Sequence, residues 1–120
     1  VMVSMGFATL ENVLYVFQLG VDTGINRMFT AVPAHASFGI LMGYFLGKAK
    51  FLHHREFLYS IVALLIATMF HGAYDYFIFI SFLPGVWIGA FLSLAVALIL
   101  SRGAIRLHQQ ASPFIKKDTP

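Results

Sequence analysis

The chain has no cysteine in its 120 residues, so disulfides and thiolate metal sites are excluded. Charge is scarce as well: Asp, Glu, Lys and Arg make up 11% of the chain, against about 25% in a soluble domain. Several catalytic signatures are missing. There is no His-Glu-x-x-His zinc helix and no Gly-x-Ser-x-Gly elbow, no phosphate-binding glycine loop, and no two acidic residues stand next to each other. What fills the space is apolar. Hydrophobic residues account for 59% and the mean hydropathy is +0.81, leaving too few polar residues to clothe a soluble core. The net charge is +3, and the basic residues gather at segment ends rather than along a groove. That arrangement fits anchoring at lipid headgroups and argues against nucleic-acid binding.

A helix needs about 20 apolar residues to cross a bilayer, and four segments qualify as expected spans: residues 1–19, 29–46, 57–82 and 86–100. The fold class read from them is all-α, a polytopic membrane helix bundle with four transmembrane helices, part of a larger bundle. Val1 already lies in an apolar run, so the chain is expected to begin inside a helix with further protein upstream. Residues 20–28, 47–56 and 83–85 read as connections, and 101–120 as a polar, basic tail. The loop 47–56 carries Lys48, Lys50 and Arg55, and the tail carries Arg102, Arg106, Lys116 and Lys117. With four spans these two segments share a side, which the positive-inside rule makes cytoplasmic. The basic residues read as topology anchors and nothing more.

Three of the apolar segments contain ionisable side chains. Glu11 lies in the first, His35 in the second, and His71 with Asp75 in the third. A charged side chain at the centre of a bilayer costs roughly 2.5–3.5 kcal/mol on insertion scales, so such residues usually mark a pathway or a reaction centre. Counted from the outer helix ends, Glu11, His35 and His71 lie roughly 12, 9 and 15 Å deep at 1.5 Å per residue, in one slab toward the outer leaflet. They also share faces with small residues. Ala31, His35, Gly39, Gly43 and Gly47 recur every four positions, as do Ala63, Ala67, His71 and Asp75. Ser4, Ala8, Glu11 and Tyr15 line up on the first helix, and Gly85, Gly89, Ser93 and Ala97 on the fourth. Small-residue stripes let membrane helices approach closely, so the polar groups are expected to face inward and converge.

His71 and Asp75, four apart, share a helix face. A carboxylate accepting from one imidazole nitrogen leaves the other as base or metal ligand. Glu11 is a candidate base, acid or ligand, and His35 a candidate ligand or oxyanion donor. Asn12 reads as interhelical glue, Tyr74 as packing, and His53 and His54 as solvated loop residues. Buried Glu, His and Asp serve proton relays equally well. A proton- or ion-coupled transporter fragment therefore stands beside an enzyme, as does an inactive relative that binds membrane proteins.

Taken in order, these residues resemble a family. Phe7-Ala-Thr-Leu-Glu11 is similar to the Phe-x-x-x-Glu motif, and His71-Gly-Ala-Tyr-Asp75 to the His-x-x-x-Asp motif, of the PrsW intramembrane proteases, relatives of the CAAX prenyl endopeptidases. Gly6-Phe7-Ala8 before Glu11-Asn12, and Arg27 ahead of Pro33-Ala34-His35-Ala36, extend the likeness over about Gly6 to Leu100. The family's Glu-Glu-x-x-Lys motif has no counterpart here and is expected on a helix upstream of Val1. The resemblance implies hydrolysis of peptide bonds in membrane-tethered proteins, anti-sigma factors for example, with the lipid bilayer and the protein substrate as partners. It implies Glu11, His71, Asp75 and His35 as catalytic residues and leaves two schemes open. In one, Glu11, His35 and His71 ligate a divalent metal such as zinc and an upstream glutamate activates water. In the other no metal is needed: carboxylates activate water and histidines stabilise the oxyanion.

Overall fold

The computed structural model describes residues 1–80 and 82–112. The tail residues 113–120, with Lys116 and Lys117, lie outside the described residues, as does the His53 side chain. The described residues form five α-helices and a single 3-10 turn: α1 (Met2–Leu19), α2 (Val21–Phe29), α3 (Ala31–Phe51), the turn His53–Arg55, α4 (Glu56–Phe79) and α5 (Trp87–Gln110). The all-α expectation holds, with no strand among the described residues.

The expected helix 29–46 corresponds to α3, and Pro33 occupies its third position, where a backbone N–H has no intrahelical acceptor to lose. Four boundaries differ from expectation. α3 runs on to Phe51, so Lys48 and Lys50 of the expected loop 47–56 lie in its last turn. Residues 20–28 are not a loop: Gly20, at φ +92°, ends α1, and a nine-residue helix follows at once. Asp22 in the first turn of α2 and Arg27 in the last complement the helix dipole. The expected span 57–82 stops at Phe79, and a reverse turn with Gly85 at φ +81° precedes α5. The expected span 86–100 runs on to Gln110, so the first half of the expected tail is helix. Buried Ser101 donates to the Ser37 carbonyl at 3.0 Å, and Ala104 is buried in the core. These contacts hold the polar extension on α3.

α3 is the hub. It packs against α1, α2, α4 and α5, whereas α1 and α4 both lie on α3 and reach each other only through side chains. The core is built mostly of small residues, with Ala31, Ala34, Ala90, Ala97 and Ala104 around Phe38, Leu41 and Tyr74. Small side chains permit the close helix approach that drives packing in lipid. The expected glycine stripe on α3 divides. Gly39 meets Ser4 of α1 and Gly47 meets His108 of α5, but Gly43 faces open space.

Large apolar side chains such as Phe17, Phe57, Leu64, Met69 and Ile99 point outward from the bundle, as lipid-facing residues do. By length and composition α4 and α5 can each cross a membrane, and α2 with α3, bent by 44° at their break, make a third candidate span. The chain is a membrane protein.

Candidate active site

Glu11 sits on α1, one helical turn after buried Ala8, so its carboxylate faces α3. His35 lies four residues into α3 on the same face as buried Ala31 and Phe38. Its backbone carbonyl takes the Ser4 hydroxyl of α1 at 2.5 Å. The imidazole Nε2 lies 2.9 Å from Glu11 Oε2, and the ring is almost fully buried. His71, from α4, brings its Nε2 to 3.9 Å from Glu11 Oε1 and 3.0 Å from Asp75 Oδ2. The two imidazoles meet edge to face, 4.7 Å between centroids. Phe38 stacks on His71 and Phe7 leans on both histidines, which limits the rotamers open to either ring. Four residues picked out from sequence at 11, 35, 71 and 75 thus come together from three helices.

Asp75 differs from expectation in one respect. The expected arrangement has it bond one nitrogen of His71 and leave the other to the site. Instead the nitrogen it holds is the one that faces Glu11. Side chains on a helix lean toward its N-terminus, so Asp75 reaches back over His71 and its own carboxylate enters the site. A single imidazole nitrogen therefore lies between two carboxylates.

Arg27 is the participant that sequence reasoning missed. Expected in the connection 20–28 and given no site role there, it comes from the last turn of α2 and donates to Glu11 Oε2 at 2.5 Å. Its guanidinium lies 3.8 Å from the centre of the Tyr15 ring, a cation–π contact. α2 is held in place by two further contacts: Asn12 donates to the Gly24 carbonyl at 3.3 Å, and buried Gly24 rests against Val16. Asn12 is thus glue, as expected. Tyr74 is buried in the core and His54 is exposed, both in line with their bland readings. The usable signal for Arg27 was its place three residues after Gly24, which puts the smallest residue of α2 and its cation on one face.

Oε2 of Glu11 therefore serves Arg27 and His35, while Oε1 faces His71. Glu11, His35 and His71 each offer a ligand atom, all within 4.8 Å of one another. Two imidazoles and one carboxylate form an established catalytic zinc set, so the donor chemistry fits a divalent metal. In this cluster two carboxylates, Glu11 and Asp75, face one guanidinium, Arg27.

The sequence profile of the PrsW family intramembrane metalloprotease matches residues 1–102. The chain belongs to the PrsW family. Among curated relatives, Protease PrsW of Geobacillus kaustophilus is 37% identical over 114 residues, 95% of this chain and 48% of that relative. Protease PrsW of Shouchella clausii is 40% identical over 76 residues, 63% of this chain and 35% of that protein. The Bacillus subtilis Protease PrsW is 40% identical across 62% of this chain and 34% of its own length. The chain thus spans about half or less of the length of these relatives. No solved structure matches it. All four site residues and Arg27 fall inside the region matched to the PrsW family.

Proposed function

We propose that the whole protein is an intramembrane endopeptidase that hydrolyses peptide bonds in membrane-tethered proteins, anti-sigma factors among them. Glu11, His35, His71 and Asp75 are its reacting groups on this chain. The observation that carries the reading is the meeting of Glu11, His35 and His71 from three helices. The transporter alternative draws no support from the matched family, which is one of proteases.

The chemistry follows from the atoms present. Peptide hydrolysis needs a base for water and donors for the developing oxyanion. The Glu11 carboxylate accepts the proton of an attacking water from its Oε1 side, since Oε2 is held by Arg27 and His35. The imidazoles of His35 and His71 stand beside it, and an Nε2–H released from its carboxylate partner, Glu11 for His35 or Asp75 for His71, would donate to the oxyanion. Asp75 orients His71. The same Glu11, His35 and His71 would hold a divalent metal such as zinc, which when bound supplies a Lewis acid and an acidified water. In either scheme Arg27 keeps Glu11 in one orientation.

The orientation we assign puts the segment 47–56, from the last turn of α3 to the start of α4, and the C-terminal tail in the cytoplasm of a multi-pass cell-membrane protein, with α2 and the turn before α5 outside. α3, α4 and α5, at 21, 24 and 24 residues, are long enough for about 30 Å of hydrocarbon at 1.5 Å per residue. α1 supplies the fourth span.

The test is cleavage of a membrane-tethered substrate by the whole protein. Glu11→Gln and His71→Ala are each expected to reduce the rate about 10²–10⁴-fold, the range for loss of a general acid or base, while the protein stays folded and inserted. Metal analysis of the same preparations separates the schemes: a zinc site loses metal with His71→Ala, and a glutamic site holds none to lose. Undiminished proteolysis by both variants would end the assignment.

A further inference from the structure

Because α1 and α4 both lie on α3 and approach each other only through side chains, Glu11 and Phe7 against His71, a trough runs between them, with a cavity of about 270 Å³. The imidazoles of His35 and His71 form one part of its wall. Phe7 and Phe38 flank them, and Met42 and Ala67 line it farther along α3 and α4. No Asp, Glu, Lys or Arg lines it, so a charged group placed there would find no counterion. Ser4 contributes a hydroxyl, but its proton is committed to the His35 carbonyl. Water takes about 30 Å³ per molecule and needs two to four polar partners in a buried site. This cavity has room for several waters and offers them few partners.

We propose that this trough is the substrate side-chain pocket, accepting a large apolar residue of leucine, methionine or phenylalanine size next to the cleaved bond. The proposal rests on the endopeptidase reading and gives that site its substrate class. A side chain seated between Phe7, Phe38 and Met42 carries its own backbone past the paired imidazoles toward Glu11. The rings of Phe7 and Phe38 already pack on those imidazoles, so filling the trough also presses the histidines into place. Size selection comes from Ala67 and Met42. The first is small enough to leave the trough open, and the second is a flexible side chain at its far end.

The experiment uses the whole protein and single-span substrates that differ only at the two residues flanking the cleaved bond, each set in turn to Leu, Phe, Ala or Asp. At one of the two positions kcat/KM for Leu is expected to exceed that for Ala by about tenfold or more, the range for added methylenes in an apolar pocket, with Asp rejected. Ala67→Phe, which fills the trough, is expected to lower the Leu-to-Ala ratio about tenfold. Met42→Ala, which lengthens it, shifts preference from Leu toward Phe. If Ala67→Phe does not insert, Met42→Ala carries the test alone. A ratio that neither variant moves overturns the pocket and leaves the protease reading standing. Failure of the unaltered whole protein to cleave any of these substrates overturns both.

Discussion

The two ends of this bundle treat charge in opposite ways. At the end where α1, α2, α3 and α4 meet, five ionisable side chains lie against one another: Arg27, Glu11, His35, His71 and Asp75 form a continuous chain of contacts. At the other end, where α3 and α5 finish, Lys48, Lys50, Arg102 and Arg106 form no ion pair among the described residues. Lys48 rests over the Tyr44 ring instead. Cations of the second kind are cheap because long side chains reach the headgroups. Charges of the first kind are costly in a membrane unless every partner is present. A fold that assembles them from four helices has spent stability on a centre, whereas the basic end asks only for the correct side of the bilayer.

The sharpest way to break this contrast is to remove one partner from the chain of contacts. Arg27→Gln and Asp75→Ala each take away a group that contacts Glu11 or His71. Each is expected to lower cleavage by the whole protein about 10–100-fold, the usual cost of losing such support. Arg27→Lys should recover part of the loss, since it restores the charge without the planar guanidinium that lies over Tyr15. Cleavage at the unaltered rate by Arg27→Gln would mean that Glu11 needs no fixed partner.

A smaller effect is expected from the glycine face of α3. A Cβ added at Gly39 would lie 2.6 Å from the Ser4 Cβ, so Gly39→Leu must push α1 away. Overpacking of this kind costs about 1–3 kcal/mol, and thermal unfolding in detergent would read it. Gly43 meets nothing, and Gly43→Leu should be tolerated. Equal losses from both would show that the stripe acts as one surface.

The smallest effect belongs to the basic end. Lys50→Gln and Arg106→Gln are expected to shift stability by no more than about 0.5 kcal/mol and to leave cleavage nearly unaltered. Position still matters there, because a cysteine at Lys50 should be labelled from the cytoplasmic side and one at Asp22 only from outside. Labelling of both from one side would undo the assigned topology.

Much of this contrast is legible in the sequence. Apolar runs mark the long helices, and a lone Glu or His in such a run is conspicuous because lipid penalises it. Their fourfold spacing with small residues already places them on inward faces. α2 escapes such reading because nine residues are too few for a helix to persist without tertiary support. That support comes from Gly24 and Arg27 docking on α1, and their single three-residue interval is too short to stand out as a helix period. The extension of α5 escapes for a related reason. Residues 101–110 are polar on average, yet Ser101, Ala104 and His108 meet α3 at three- and four-residue intervals. Which nitrogen of His71 faces Asp75 depends on side-chain rotamers, and spacing carries no information about those.

The claim that the paired end is one reaction centre is tested most directly by a double-mutant cycle. Cleavage rates would be measured for Glu11→Gln, His71→Ala and the combination, in protein shown to be inserted and monodisperse. Residues that act as a unit lose their function together. The double variant is therefore expected to be no slower than the slower single variant. Losses that multiply, so that the double variant falls by the product of the two, would contradict a shared centre and assign Glu11 and His71 to separate tasks.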